Sequence, residues 1–256
     1  MLLAGLMAAA AVLVVRAPAT LLDVVMNRAT QGRVRLAQVS GTVWAGQGRI
    51  VVSDSREAIA AGQAERASAL PGLAIPGVFG WRLSPWPLLV GMVEARLTHD
   101  SMDGDVVVSG RAGRLRATRG QLVLPALSLE RLGSPWTTIR PSGTLTLSWG
   151  EVTLSGGRFE GKAAIELSQV ASALTPVSPL GAYRIEITGS GAQAGLTMKT
   201  LVGPLKLAGE GRWDARSGLR FTAEASADES EQARLGPLLV LMGRRDGERT
   251  IIKLGA

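Results

Sequence analysis

From residue 33 onwards the chain alternates apolar and polar side chains in short runs hinged by glycine, and this period of two constrains the fold more than any other feature. The run Thr144, Thr146, Ser148 against Leu145, Leu147, Trp149 is the clearest instance. A strand places successive side chains on opposite faces, so such a run has one greasy side and one wet side. Comparable stretches recur at 92–97, 105–109, 113–118, 120–124, 151–154, 162–167, 183–188, 195–199, 204–208, 219–225 and 250–254. Turn residues separate nearly all of them, among them Asp103-Gly104, Gly156-Gly157 and Ser217-Gly218, and the 32 glycines supply hinges throughout. Strands at this spacing predict an antiparallel meander. A long one-sided sheet must curl or fold over to hide its apolar face. The expected fold is therefore all-β: a long curved meander forming a trough, a sandwich or a partly open barrel.

Two segments break the period. Between Glu229 and Met242 the residues Leu235, Leu238, Leu239 and Met242 fall at i, i+3, i+4 and i+7, which predicts a short C-terminal helix. Pro237 begins or kinks it and Gly243 ends it. The stretch 53–69, rich in Ala, Glu and Gln, reads as a short helix or a loose loop.

At the other end, Met1–Val15 carries no polar side chain. Fifteen helical residues reach about 22 Å, short of the roughly 20 residues that a bilayer core requires. A cleaved signal peptide and a buried soluble helix compete with a membrane anchor that runs on to Leu22 with Arg16 snorkelling, and the anchor is preferred. Pro18 suits the start of a second helix whose Leu21, Leu22, Val25 and Ala29 share a face, with Gly32 as its stop. The organisation expected is an anchor at 1–22, a short juxtamembrane helix at 23–32 and one β domain at 33–256.

The residues that would carry chemistry are scarce. There is no cysteine, so disulfides and zinc–thiolate sites are excluded. His99 is the sole histidine, with no HExxH helix and no GxSxG elbow, and beside Asp100 and Ser101 it reads as a solvated loop residue. Phosphate-binding glycine loops are absent as well. Asp103 and Asp105 flank Gly104 as turn residues, and Asp228, Glu229 and Glu231 stand where acids complement a helix N-terminus. No enzyme, cofactor or metal site is expected. The net charge of +7 comes almost wholly from arginine, yet without long basic runs it reads as a scattered outer face, so no nucleic-acid partner is expected. With one tyrosine and three phenylalanines the chain is also poor in the aromatic girdles of an outer-membrane barrel.

Six tryptophans remain to be placed. Trp44 and Trp149 alternate with apolar neighbours and are expected in the core. Trp86 lies between Pro85 and Pro87, which withhold ladder donors, so Trp81–Leu89 reads as a rigid protruding loop. Trp81, Pro85, Trp86 and Pro87 are the candidate partner-contact residues.

Three stretches, taken in order, carry a resemblance. They are Gln31–Gly46 (QGRVRLAQVSGTVWAG), Trp81–Leu89 (WRLSPWPLL), and a set formed by Ser178–Tyr183, Gly203–Trp213 and Leu235–Gly247. Together they resemble the protein N family of the type II (general) secretion system. The resemblance implies a single-pass inner-membrane protein with a periplasmic β domain. Such a protein supports export of folded proteins across the outer membrane through contacts with other secretion subunits and with inner-membrane lipid, and takes no small-molecule substrate. A looser similarity to AsmA-like periplasmic bridges gives the alternative function: a β trough that binds or transfers lipid.

Overall fold

The structure is a computed structural model that describes residues 15–30, 32, 34–52, 73–111, 113–125, 140–214 and 217–255. The apolar N-terminal residues 1–14, the stretch 53–72 and Trp136 lie outside the described residues, and with them most of the expected anchor and the expected helix at 53–69. The chain divides into two compact units, one within Met1–Asp100 and Gly104–Ala112, the other within Ser101–Asp103 and Gly113–Ala256.

The first unit carries a helix, α1 (Thr20–Ala29), and strands β1 (Val34–Gly41), β2 (Ala45–Val52), β3 (Leu73–Ala74), β4 (Phe79–Leu83), β5 (Met92–His99) and β6 (Val106–Arg111), with a one-turn helix, α2 (Pro85–Leu88), between β4 and β5. All its pairings are antiparallel, in the order β1, β2, β4, β5, β6, with β3 beside β4 on the same edge of β2. At 17–19, directly before α1, the chain is not helical: Pro18 bridges Thr42, Ala17 accepts from Val43 N at 2.9 Å and Ala19 is buried. Proline fits here because its neighbours form the bridge's hydrogen bonds and its own missing N–H costs nothing. Helix α1 is fastened to β1 by Asp23, whose carboxylate accepts from Leu36 N at 2.8 Å and pairs with Arg35 at 3.3 Å.

The second unit carries β7 (Arg114–Ala117), β8 (Gly120–Leu124), β9 (Pro141–Trp149), β10 (Val152–Ser155), β11 (Arg158–Ser172), β12 (Gly181–Gly191), β13 (Gln193–Val202), β14 (Leu205–Asp214), β15 (Gly218–Ala227), a 3₁₀ turn and then α3 (Gln232–Met242), β16 (Arg244–Asp246) and β17 (Arg249–Leu254). The order is β8, β9, β11, β12, β13, β14, β15, β17, β16, with β7 and β10 continuing the lines of β8 and β9 along the far end of β11. Every pairing is antiparallel, and among the described residues none joins the β8 edge to β16. The meander is therefore an open sheet, not a closed barrel. Gly156 and Gly157, both at positive φ, make the two-residue hairpin between Ser155 and Arg158. Positive φ at both positions is what a type I′ turn requires, and glycine adopts it without strain.

The expected period of two is realised as continuous rows. Leu147, Ile165, Ile185, Met198, Gly209, Ala223 and Ile252 are successive cross-strand partners on seven strands. A parallel row runs Trp149, Ala163, Ile187, Leu196, Gly211, Phe221, Leu254, and another holds Leu145, Leu167 and Tyr183, with Leu207 and Ala225 further along the same line. The opposite face carries Glu166, Arg184, Glu186, Lys199 and Glu224, where Glu186 pairs with both Arg184 and Lys199. Helix α3 follows the expected spacing. Leu235, Leu238 and Leu239 are buried, Gly243 ends the helix and Pro237 lies inside it. They form the core with Val177, Leu180, Tyr183, Leu205, Leu207 and Ala225.

Candidate functional site

Two features could carry function, one in each unit. In the first unit, β4 ends at Leu83 and the chain turns through α2. Pro85 occupies the start of that turn, where its missing N–H is not needed. Hydrogen bonds from Leu89, Val90 and Gly91 N to the carbonyls of Trp86, Pro87 and Leu88, at 3.0–3.2 Å, close the turn into a stiff knuckle. Ser84 N anchors it to Glu94 O at 2.9 Å. On it Trp86 is 77% exposed, Leu89 78% and Val90 68%, with Met92 next to them also exposed. Four large apolar side chains thus stand in water within seven residues.

Trp81 belongs elsewhere. It is a strand residue of β4, paired to Gly46 and Leu97, and not part of a protruding loop as the sequence suggests. Its indole lies over Gly46, where a Cβ would stand 2.6 Å from Cζ2, and its Nε1 donates to Thr42 O at 3.2 Å. Trp81 shapes the floor of a polar groove of about 560 Å³ that also holds Arg82, Thr98 and the Arg96–Asp105 pair. The structure therefore brings Pro85, Trp86 and Pro87 together on α2 and sets Trp81 into the sheet.

His99 also departs from expectation. It is buried, not solvated. The strand runs two residues past Leu97, and alternation carries His99 onto the inward face with Val93, Ala95 and Leu97. Its ring tilts against Phe79 at 4.2 Å, and its Nε2 is 3.0 Å from Pro76 O. A carbonyl can only accept, so Nε2 carries the proton. Trp44 and Trp149 are half-buried and not core: Trp44 sits in the bend between β1 and β2, and Trp149 ends β9 with Nε1 donating to Thr118 O at 2.9 Å.

The second feature is the apolar face of the second unit. It lines a cavity of about 320 Å³ whose wall includes Leu145, Leu167, Ile185, Met198, Leu207, Phe221, Ile252 and Leu254, with Leu238 and Met242 of α3 across one end. Six strand spacings of about 4.8 Å separate β9 from β17 in a flat sheet, so a single cavity touching both requires this face to curl. Phe221 helps it do so by lying on Gly209 and Gly211, where a Cβ would stand 2.9 and 2.5 Å from the ring. Tyr183 is the polar group most deeply set in the wall, and its hydroxyl is 3.2 and 3.0 Å from the carbonyls of Leu180 and Leu205, to which it donates. Burial pushes its pKa well above the ordinary 10.0, so it stays neutral. Sequence reasoning anticipated an apolar trough among its alternatives but not the helix across it, because no local signal shows that α3 returns over this face.

Among the described residues, no group of three or more His, Cys, Asp or Glu side chains is placed to hold a metal. No helix of the described residues is long and apolar enough to cross a membrane. What the fold and sites define is a class: a largely antiparallel β protein that presents an exposed apolar knuckle on one unit and an apolar cavity on the other. The chain matches the family model of type II secretion system protein N over residues 32–252, and it belongs to that family. It is thus a type II secretion component from a family of accessory proteins that is not known as an enzyme family. No curated protein and no solved structure matches it.

Proposed function

We propose that this chain is an accessory inner-membrane subunit of the type II secretion machinery that works by contact with other secretion subunits. In this reading the apolar segment at the N-terminus is the anchor, α1 lies beside the membrane, and both β units stand in the periplasm. The observation that carries the contact role is Trp86, 77% exposed on a turn held by two prolines. Tryptophan is the residue type most enriched among binding hot spots, and a rigid turn loses little entropy on docking. Trp86→Ala is expected to weaken capture of secretion subunits in intact-cell crosslinking by about tenfold or more, the scale of a hot-spot truncation. Because Trp86 buries little, the thermal midpoint should stay within about 1 °C. A large fall in midpoint with unchanged crosslinking would refute the contact role.

A second reading, a periplasmic β trough that holds or transfers lipid, is favoured by the apolar cavity of the second unit. Mass spectrometry of an organic extract of the detergent-purified full chain separates the two, since stoichiometric phospholipid is expected only for the trough.

A further inference from the structure

We propose that the cavity under α3 is an acyl-chain site, and that the cleft beside it at β16–β17 receives the anionic head group of the same lipid. This rests on the second reading above and makes it specific. Apart from Ser142, Ser172 and Tyr183, the wall is apolar, and the Tyr183 hydroxyl is spent on two carbonyls. An enclosed apolar cavity of about 150 Å³ takes up small hydrocarbons, and this one, open at the Leu219 and Leu254 end, has a volume of about 320 Å³.

Its dimensions select the occupant. From Leu207 to the level of Leu219 the wall runs six residues along the strands, about 20 Å at 3.3 Å per residue. One leaflet of a bilayer's hydrocarbon core is about 15 Å deep, the reach of one lipid chain. A helix about 10 Å across would be too wide for so narrow a volume. An extended peptide would bury backbone N–H and C=O groups against a wall that offers them no partners. A hydrocarbon chain has neither problem.

The head-group side follows from charge. Met242 lines both the apolar cavity and a neighbouring cleft of about 680 Å³, whose wall also holds Arg244, Arg245 and Lys253, with Asp246 as its acid. Arg245 Nε donates to Gly247 O at 3.0 Å, which fixes that side chain beside the cleft. Arg244 and Lys253 alternate with Ile252 and so lie on the other side of the sheet, while Met242, at the β16–β17 edge, lines both sides. Three cations against one carboxylate at that edge match a phosphate-bearing head group whose chain turns over the edge past Met242. Methionine suits that position, being unbranched and able to change rotamer without leaving a void.

The test presents the detergent-purified full chain with two vesicle preparations, phosphatidylglycerol and phosphatidylcholine, each bearing a photoreactive group midway along one acyl chain. Labelled residues are then mapped by mass spectrometry. The expected result is saturable labelling of Ile185, Met198 and Phe221, at least threefold stronger from phosphatidylglycerol. Ala223→Phe, which fills the cavity, should cut that labelling at least tenfold. The triple variant Arg244→Gln, Arg245→Gln, Lys253→Gln should erase the head-group preference but keep the chain label. Should Ala223→Phe not fold, Met198→Phe serves the same purpose, and the wild-type map is decisive by itself. Labelling confined to Trp86, Leu89 and Val90 while extracts still contain stoichiometric phospholipid would overturn this site but leave the general lipid reading standing. No label and no lipid in the extract would overturn both. Equal labelling from the two vesicles would overturn the head-group assignment.

Discussion

The two ends of the second unit's apolar face are built from the same strands and the same alternation, yet they end in different states. At the end covered by α3, Tyr183 is 1% exposed and Ala225 and Leu235 are 0% exposed. Two or three rows along, Leu219 is 39% exposed and Leu254 44%. Both ends carry large apolar side chains at inward positions, Leu205 and Leu207 at the covered end and Leu196 and Phe221 at the other. The lesson is that alternation makes a face apolar but does not bury it; burial needs a second layer, and α3 supplies one over only part of the sheet.

The largest expected effect breaks this contrast at its covered end. Leu235→Ala should cost about 3–4 kcal/mol in urea unfolding, the usual price of a large cavity at a fully buried leucine. Leu254→Ala at the open end should cost less than about 1 kcal/mol, since it is 44% exposed and already meets water. Equal costs would mean that the open end is covered in solution.

Next in size is Tyr183→Phe, which removes the donor that the Leu180 and Leu205 carbonyls share and should cost about 1–2 kcal/mol. The same residue sharpens the comparison through pH. Its folded pKa is raised above the unfolded 10.0, so the stability it confers is complete below pH 10 and falls as pH climbs beyond it. Urea midpoints taken from pH 8 to 11 should therefore drop more steeply for the wild type than for Tyr183→Phe. Parallel curves would place the phenol in water.

The smallest effect concerns Gln169. It sits in the bulge that bends β11 beside the covered end, at φ 52°, a left-handed conformation unfavourable for a side chain with a Cβ. Gln169→Gly should stabilise by up to about 1 kcal/mol, because the relief of strain outweighs the added freedom of the unfolded chain. Calorimetry would register this as a rise in midpoint of a few degrees at most.

Much of this fold was legible in advance because its signals are local. Leu145, Leu147 and Trp149 share a face, β8 occupies Gly120–Leu124, and Leu235, Leu238 and Leu239 bury one side of a helix, as spacing predicts. Misreadings arose where a strand ran further than its pattern. His99 lies two residues beyond the last clear alternation of β5, and one more inward step carries it into the interior. Trp81 follows Gly80 and precedes a proline turn, so its strand of five residues offered little periodicity to recognise. Trp44 and Trp149 have apolar neighbours, but Trp44 falls in the bend after β1 and Trp149 at the last position of β9, where both stay half-buried. Of the candidate contact residues, Pro85, Trp86 and Pro87 could be placed outside the sheet in advance because proline excludes a central strand, and that exclusion is a matter of covalent geometry.

The sequence by itself determined that this is a ribbon of one-sided strands with a helix near its end, because a period of two and a period of 3.6 are written into neighbouring residues. The tertiary structure alone decided how much of the greasy side is covered, and so where a cavity remains. Leu238 meets the face that begins at Leu145 only after the intervening strands have paired, and no local pattern can specify a contact between residues so far apart along the chain.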